Sequence, residues 1–444
     1  MKKIFSILIA MIMLFSVSAC KNPDNDIKDN VSDQYITKLA KSDLQERLYN
    51  DEEYEQFLLK VKDFSYELSE QVYKYYSSDD NFTISPISIY MALAMATEVT
   101  AGQTQAELFN ALGLSYDEIS TYTKYLFSEA NDEYFGKTDF ENVVSTGFED
   151  LRNSIWVDDE LSLNENVMSS LADNFYTTTY KVPFQKDKKK AEEALRSYIK
   201  SATRGLIDKK YELSNEVIFM LVNTYYLKDI WNDYGEELHF TKASYDFINK
   251  DGSVSVQKLL EGYYFSGKPY QTLKYSTATT NTVNGFKLKF IVPNDGYSVN
   301  DVFTSEILKE ANNVNNYLAV DDEKREYNHT KCLFPEFEAS YDEDLKNVLE
   351  EQFGIRKLFD PNLADFSNLI ESQAYIGSVK HQTKLIVNRT GIEGAAVTIM
   401  QACGAAGPGP YENIYHQFVV NKAFVFMITD SKDNVLFSGV VNKI

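Results

Sequence analysis

The sequence predicts an α+β fold, because apolar residues recur at helical spacing early in the chain and in strand patterns late in it. Helices and strands are segregated rather than alternating, which argues against a βαβ architecture. The composition supplies a core: 44% of the 444 residues are hydrophobic and 14% aromatic, with 31 Tyr and 28 Phe. A disordered chain would hold too little apolar surface to offset its conformational entropy.

The elements follow in order. Phe57, Val61, Phe64, Leu68 and Val72 share one face of a helix that runs to about Tyr76. Ser85 is placed to cap a second helix, and Pro86 fills its first turn, where no amide donor is missed. That helix takes in Ile87 to Val99 and is ended by Gly102; a third runs from about Gln103 to Leu112, with Gly113 as its stop. Ala191, Leu195, Ile199 and Ala202 line one face of a helix from Lys188 to Thr203, stopped by Gly205.

Strands dominate afterwards. Glu216 to Lys228 is apolar nearly throughout, as suits a central strand covered on both faces. Phe286, Leu288, Phe290 and Val292 alternate with Lys287 and Lys289, so that strand is expected to be half buried. Val379 to Asn388, Gln417 to Thr429 and Val435 to Val441 complete the set. No internal repeat and no second linker divides the chain, and one domain is expected.

Charge and cysteines narrow the function classes. A formal net charge of −22 argues against nucleic acid as a partner, since binding to a phosphate backbone draws on Lys and Arg. Three cysteines build no disulfide framework. Cys332 precedes Leu-Phe-Pro and reads as a buried strand residue, whereas Cys403 lies in a loop of small residues. The four histidines, His239, His329, His381 and His416, are scattered without metal-ligand spacing, and neither a metal nor a cofactor is expected. No nucleophile elbow or phosphate loop is present, so the chain does not read as an enzyme.

The first residues read as an address. Lys2 and Lys3 precede an apolar run from Ile4 to Val17, followed by Ser18-Ala19-Cys20. A basic start, a short apolar core and small residues before a cut describe a secretory signal peptide, too short to span a bilayer comfortably. A small-residue run ending in Cys resembles the bacterial lipobox, which implies a signal over residues 1–19 and a lipid on Cys20. Residues 20–37 then form the lipidated Cys and a flexible tether, and 38–444 the folded domain. The expected location is the cell envelope, at the outer membrane or the cell surface, with the membrane contacted through the lipid.

Several segments, in this order, resemble the serpins. Asn81-Phe82-Thr83-Ile84-Ser85-Pro86-Ile87-Ser88, Ala101-Gly102-Gln103-Thr104, Asn153-Ser154-Ile155-Trp156-Val157 and the run from Ile199 to Ile207 match four of them. Val222-Asn223-Thr224-Tyr225-Tyr226-Leu227-Lys228-Asp229-Ile230-Trp231 resembles the third strand of the family's main sheet, with Asp229 where a Gly is usual. Phe334-Pro335-Glu336-Phe337 and Val435 to Asn442 resemble the closing segments. The resemblance implies a large central, mostly antiparallel sheet with smaller sheets, about eight to nine helices and an exposed reactive-centre loop. It also implies that Ser85, Ser88, Asn223 and His381 form the "shutter" beneath the point where the main sheet parts, and that Trp231 marks the "breach" above it. Read by themselves, Ser85 is a helix cap and His381 a satisfied core histidine.

The loop, about residues 389–413, contains Gly391-Ile392-Glu393-Gly394-Ala395-Ala396, which resembles the family's hinge. Alternation places Ile392, Gly394, Ala396, Thr398, Met400 and Ala402 on one face and the charged Glu393 on the other. The resemblance implies that a protease takes this loop as substrate and that the cut loop inserts as a strand, trapping the acyl-enzyme. The family's spacing counted from Gly391 puts the reactive bond at Ala405–Ala406, and a small residue there suits an elastase-like pocket. A monomer acting on a serine protease is expected, with cysteine proteases as a second target class. The alternative reading is a non-inhibitory serpin, acting as a protease substrate or as a binding or chaperone module.

Overall fold

The computed structural model describes residues 51–76, 78–137, 143–231, 237–314, 320–321, 324, 326–392 and 412–444. Among these, nine α-helices accompany a thirteen-stranded main sheet, a four-stranded sheet and a two-stranded hairpin, an α+β arrangement.

Helix Glu52–Tyr75 begins where Asp51 Oδ1 accepts the Tyr54 N–H at 2.9 Å, and it buries Phe57, Val61, Phe64, Leu68 and Val72 as their spacing predicts. Helix Pro86–Val99 is buried almost all round, so it occupies the middle of the core. Ser85 stands at its N-cap position, but its hydroxyl makes no capping bond, and the residue's own N–H donates to His381. Thr100, not Gly102, ends this helix; Gly102, at φ +55°, opens Gly102–Leu112, which stops at the left-handed Gly113. Helix Lys188–Ala202 follows its predicted face.

Five of the described helices go beyond the sequence reading, Val299–Val302, Ser305–Val314 and Lys346–Gln352 among them. Tyr116–Glu129 starts with a capping box, Ser115 and Glu118 each bonding the other's backbone, and Glu165–Phe175 starts at Asn164.

The main sheet runs Asn131–Lys137, Val143–Asp158, Phe219–Ile230, Gly391–Ile392, Lys380–Asn388, Phe337–Asp344, Phe82–Ile84, Val435–Val441, Phe424–Thr429, Lys287–Pro293, Tyr275–Asn281, Tyr270–Gln271. Strand Thr177–Val182 pairs alongside Val143–Asp158. Most pairings are antiparallel; Phe82–Ile84 with Phe337–Asp344, and Thr177–Val182 with Val143–Asp158, are parallel. Helices pack on both faces of Phe219–Ile230. One face meets the large core, and the other meets Trp156, Tyr180, Leu195 and Tyr198 under helix Lys188–Ala202.

Strand Lys287–Pro293 is not half buried. Lys289 is fully buried, its ammonium donating to Asp433 Oδ1 at 2.7 Å and to Asn312 Oδ1 at 2.6 Å. Burial lowers its pKa to about 8 even with the Asp433 carboxylate beside it. The predicted span Gln417 to Thr429 is two strands, Glu412–Val419 in the four-stranded sheet and Phe424–Thr429 in the main one. Cys332 is a free, fully buried thiol on strand Glu326–Phe334.

Candidate functional site: the seam of the main sheet

Asn388 begins the site. Its side-chain oxygen accepts the Thr390 N–H at 2.9 Å, the Thr390 hydroxyl at 2.6 Å and the Gly391 N–H at 3.3 Å, folding Arg389–Thr390 into a two-residue turn. The chain therefore doubles back, and Gly391–Ile392 pairs antiparallel with Lys380–Asn388, Val387 opposite Ile392. On its other edge the same short strand pairs antiparallel with Phe219–Ile230, Gly391 opposite Ile230 and Ile392 opposite Asp229. Glycine is required here, because a Cβ at 391 would collide with the Asp229 carbonyl oxygen and come 2.9 Å from Ile230 Cα. Ile392 is fully buried in the core.

Phe219–Ile230 and Lys380–Asn388, both antiparallel to the strand between them, run parallel to each other. Among the described residues no direct backbone pairing joins these two; Gly391–Ile392 is the element between them. The line between the two long strands is a seam, bridged at its upper end by the start of the loop.

Trp231 closes that upper end. Its indole N–H donates to the Asn388 carbonyl at 2.7 Å, and its ring meets Phe334 edge-on at 5.5 Å. Arg389 pairs with Glu237 at 2.7 Å, and the Arg389 carbonyl accepts the Leu238 N–H.

Lower on the seam, the structure brings the four polar residues together as two pairs. Ser85 N–H donates to His381 Nε2 at 3.2 Å, and the Ser88 hydroxyl donates to Asn223 Oδ1. Asn223 passes the connection on, its amide donating to Asn153 Oδ1 at 2.6 Å, while the Asn153 amide donates to the Phe175 carbonyl. His381 belongs to the strand on one side of the seam and Asn223 to the strand on the other, with helix Pro86–Val99 bonded to both from behind. Burial holds the His381 pKa down to about 3, so the ring is neutral at ordinary pH and Nε2 can accept. The Ser85 hydroxyl is buried with no partner among the described residues.

The seam is also clasped from its other face. Tyr211 OH, in the segment after helix Lys188–Ala202, donates to Gln382 Oε1 at 2.6 Å, and Lys209 pairs with Asp342. Asn153, Tyr211 and Asp229 went unassigned from sequence. An amide three residues before Trp156, within a mostly apolar stretch, is the available signal for Asn153; Tyr211 carries none. Glu393, Gly394, Ala395, Ala396, the Ala405–Ala406 bond, Cys403 and Cys20 lie outside the described residues. No described helix is long and apolar enough to cross a membrane.

Residues 59–444 match the family model for the serpins, described as serine protease inhibitors. Pig (Sus scrofa) alpha-1-antitrypsin is 25% identical over 391 residues, covering 86% of this chain and 85% of that one. Human corticosteroid-binding globulin is 27% identical over 324 residues, covering 72% and 76%. Among solved structures, the native state of tengpin, a thermophilic serpin, superimposes with a TM-score of 0.71 at 21% identity over 90% of this chain and 96% of that one.

Proposed function

The chain belongs to the serpin family, and from that premise we propose that it inhibits a serine protease of elastase-like specificity by inserting its cut loop into the seam. The observation that carries the reading is Gly391–Ile392, already bonded to both strands that flank the seam. Its register fixes what would follow. Continued downward on insertion, residue 393 would stand opposite Lys228 and Ile386, and each further residue would move one step along both strands. Thr398 would then arrive level with Asn223 and His381, bringing a hydroxyl to the place where those two polar side chains line the seam.

The same register gives the facing. Ile392 is buried toward the core, so Gly394, Ala396, Thr398, Met400 and Ala402 would follow it inward, while Glu393 would turn outward beside Lys228. A carboxylate on the core side, unpaired, would oppose insertion strongly. The gain is a ladder on each edge of the new strand, antiparallel to both neighbours, together with the burial of Met400 and the small side chains. Strand addition of this kind, with serpin loop insertion as a named instance, is a general recognition mode.

A protease that has formed its acyl-enzyme at Ala405 would be carried along by the moving strand. Incubation with pancreatic elastase tests this: an SDS-stable adduct is expected. Complete cleavage without an adduct would instead support a non-inhibitory role as substrate or binding module, the reading that the name of the corticosteroid-binding relative keeps in view. Cys20 is proposed to carry a lipid that tethers the inhibitor to the cell envelope.

A further inference from the structure

Asp229 is fully buried at the level of the hinge, and the sheet covers it unevenly. On one side it faces Gly147 of strand Val143–Asp158. A Cβ at 147 would come within 2.8 Å of Asp229 Oδ1 and 2.9 Å of Asn284 Nδ2, so the missing side chain leaves room for this carboxyl and its amide partner. On the other side Asp229 faces Ile392, and directly opposed residues project from the same face of a sheet. The cross-strand cover on the loop's side is therefore the Ile392 side chain.

The partners of Asp229 among the described residues are uncharged. Oδ1 accepts the Asn284 amide at 2.5 Å and the Ile230 N–H at 2.9 Å; Oδ2 accepts the Asn284 N–H at 3.2 Å. Among the described residues, charged groups on the surrounding elements are turned away or engaged. Glu149, on the same face of the paired strand, accepts the Tyr225 hydroxyl at 2.6 Å. Lys228, adjacent in the chain, projects from the other face. Arg389 in the hairpin turn pairs with Glu237, the 282–286 turn brings Thr282 and Asn284, and Gly391–Ile392 carries no titratable side chain. Glu393 lies outside the described residues.

We propose that Asp229 makes seating of the loop hinge proton-dependent: Ile392 closes readily over a protonated carboxyl and poorly over an ionised one. This rests on the insertion reading above and adds a regulator to it, acid favouring the first step. With the hinge seated, burial pushes the carboxyl up to about 7, against the hydrogen bonds that pull it down. With Ile392 withdrawn, water returns and the group relaxes toward about 4. Between those values seating takes up a proton, so it weakens by roughly tenfold per pH unit from about pH 4 to about pH 7 and is flat above.

Hydrogen exchange of the full chain, read on peptides spanning residues 385–392 and corrected for the intrinsic pH dependence of exchange, tests this. Wild-type protection is expected to fall roughly tenfold per unit between pH 5 and pH 7, and that of Asp229→Asn to stay level. Should Asp229→Asn misfold, Asp229→Gly supplies the same comparison. Trp231 fluorescence in a Trp156→Phe background gives a second readout, since its indole holds the base of the hairpin through Asn388. Level protection in the wild type, or the same fall in the variant, would overturn the proposal. If protection falls as expected yet no protease adduct forms at any pH, insertion fails while the proton linkage stands.

Discussion

His381 Nε2 accepts the backbone N–H of Ser85 at 3.2 Å, tying a strand that borders the seam to the start of the buried helix behind it. His381→Ala removes the acceptor and leaves that N–H buried without a partner, at a cost of roughly 1–3 kcal/mol. A lower melting temperature and polymers after mild heating are expected on native gels. A variant that stays monomeric with unchanged melting would make His381 an ordinary core residue.

The same histidine sets an acid dependence. Its folded pKa of about 3 lies below the unfolded value of about 6.5, so the unfolded chain binds the proton first. The stability contributed by the neutral ring is fully present above about pH 6.5 and is lost as pH falls toward about 3. Asp229 has the opposite sign: its contribution is full below about pH 4 and is lost as pH rises through about 7. Melting temperatures between pH 4 and pH 6.5 should fall less steeply with acid in His381→Ala than in the wild type. Equal slopes would assign the acid sensitivity to other groups.

Ile392→Arg places a cation where the wild-type side chain is fully buried. Ala396→Arg would do the same two steps of the alternation further down the inserted strand. An uncompensated buried ion costs several kcal/mol even after relaxation, which slows insertion and gives water time to release the acyl-enzyme. Both variants are expected to be cut by elastase without forming the SDS-stable adduct. Wild-type levels of adduct would show that position 392 does not enter the core during trapping.

Cleavage itself should stabilise the protein. An added strand contributes backbone pairing and side-chain burial absent from the uncut form, so the cleaved protein is expected to melt well above the intact one. Mass spectrometry under denaturing conditions should find a C-terminal fragment beginning at Ala406. An unchanged melting temperature after cutting would mean that the loop does not insert.

Replacing Cys20 by Ser removes the thiol to which the proposed lipid would attach. The variant should leave the membrane fraction or retain its signal. A processed variant that still sediments with membranes would place the anchor elsewhere.

The sequence made much of this fold legible, and the exceptions have physical causes. Val435–Val441 and the body of Pro86–Val99 are readable because their own side chains declare a strand and a buried helix. Lys289 misleads because alternation reports only its own polarity. The groups that allow its burial, Asn312 and Asp433, are brought from distant parts of the chain. Helix Tyr116–Glu129 does carry a local signal, the Ser115–Glu118 capping box, although its apolar face is thin and aromatic. At the site, resemblance supplied Ser85, Ser88, Asn223 and His381, and only the fold could show them as two bonded pairs. Asp229 stood out in the sequence as a departure from a usual glycine. Its meaning depends on Gly147 and Ile392, one on each neighbouring strand.

The position of the last strand bears on how the protein is made. Val435–Val441 is entirely buried and sits between Phe82–Ile84 and Phe424–Thr429, in the interior of the main sheet. A ribosome delivers these residues after everything they pack against. Until they emerge, Phe82 and helix Pro86–Val99 have no permanent neighbour on that side, however long they have waited. Completion of the core thus waits for these residues, and a chain stalled before them would be left with an open sheet edge, the feature most prone to aggregation.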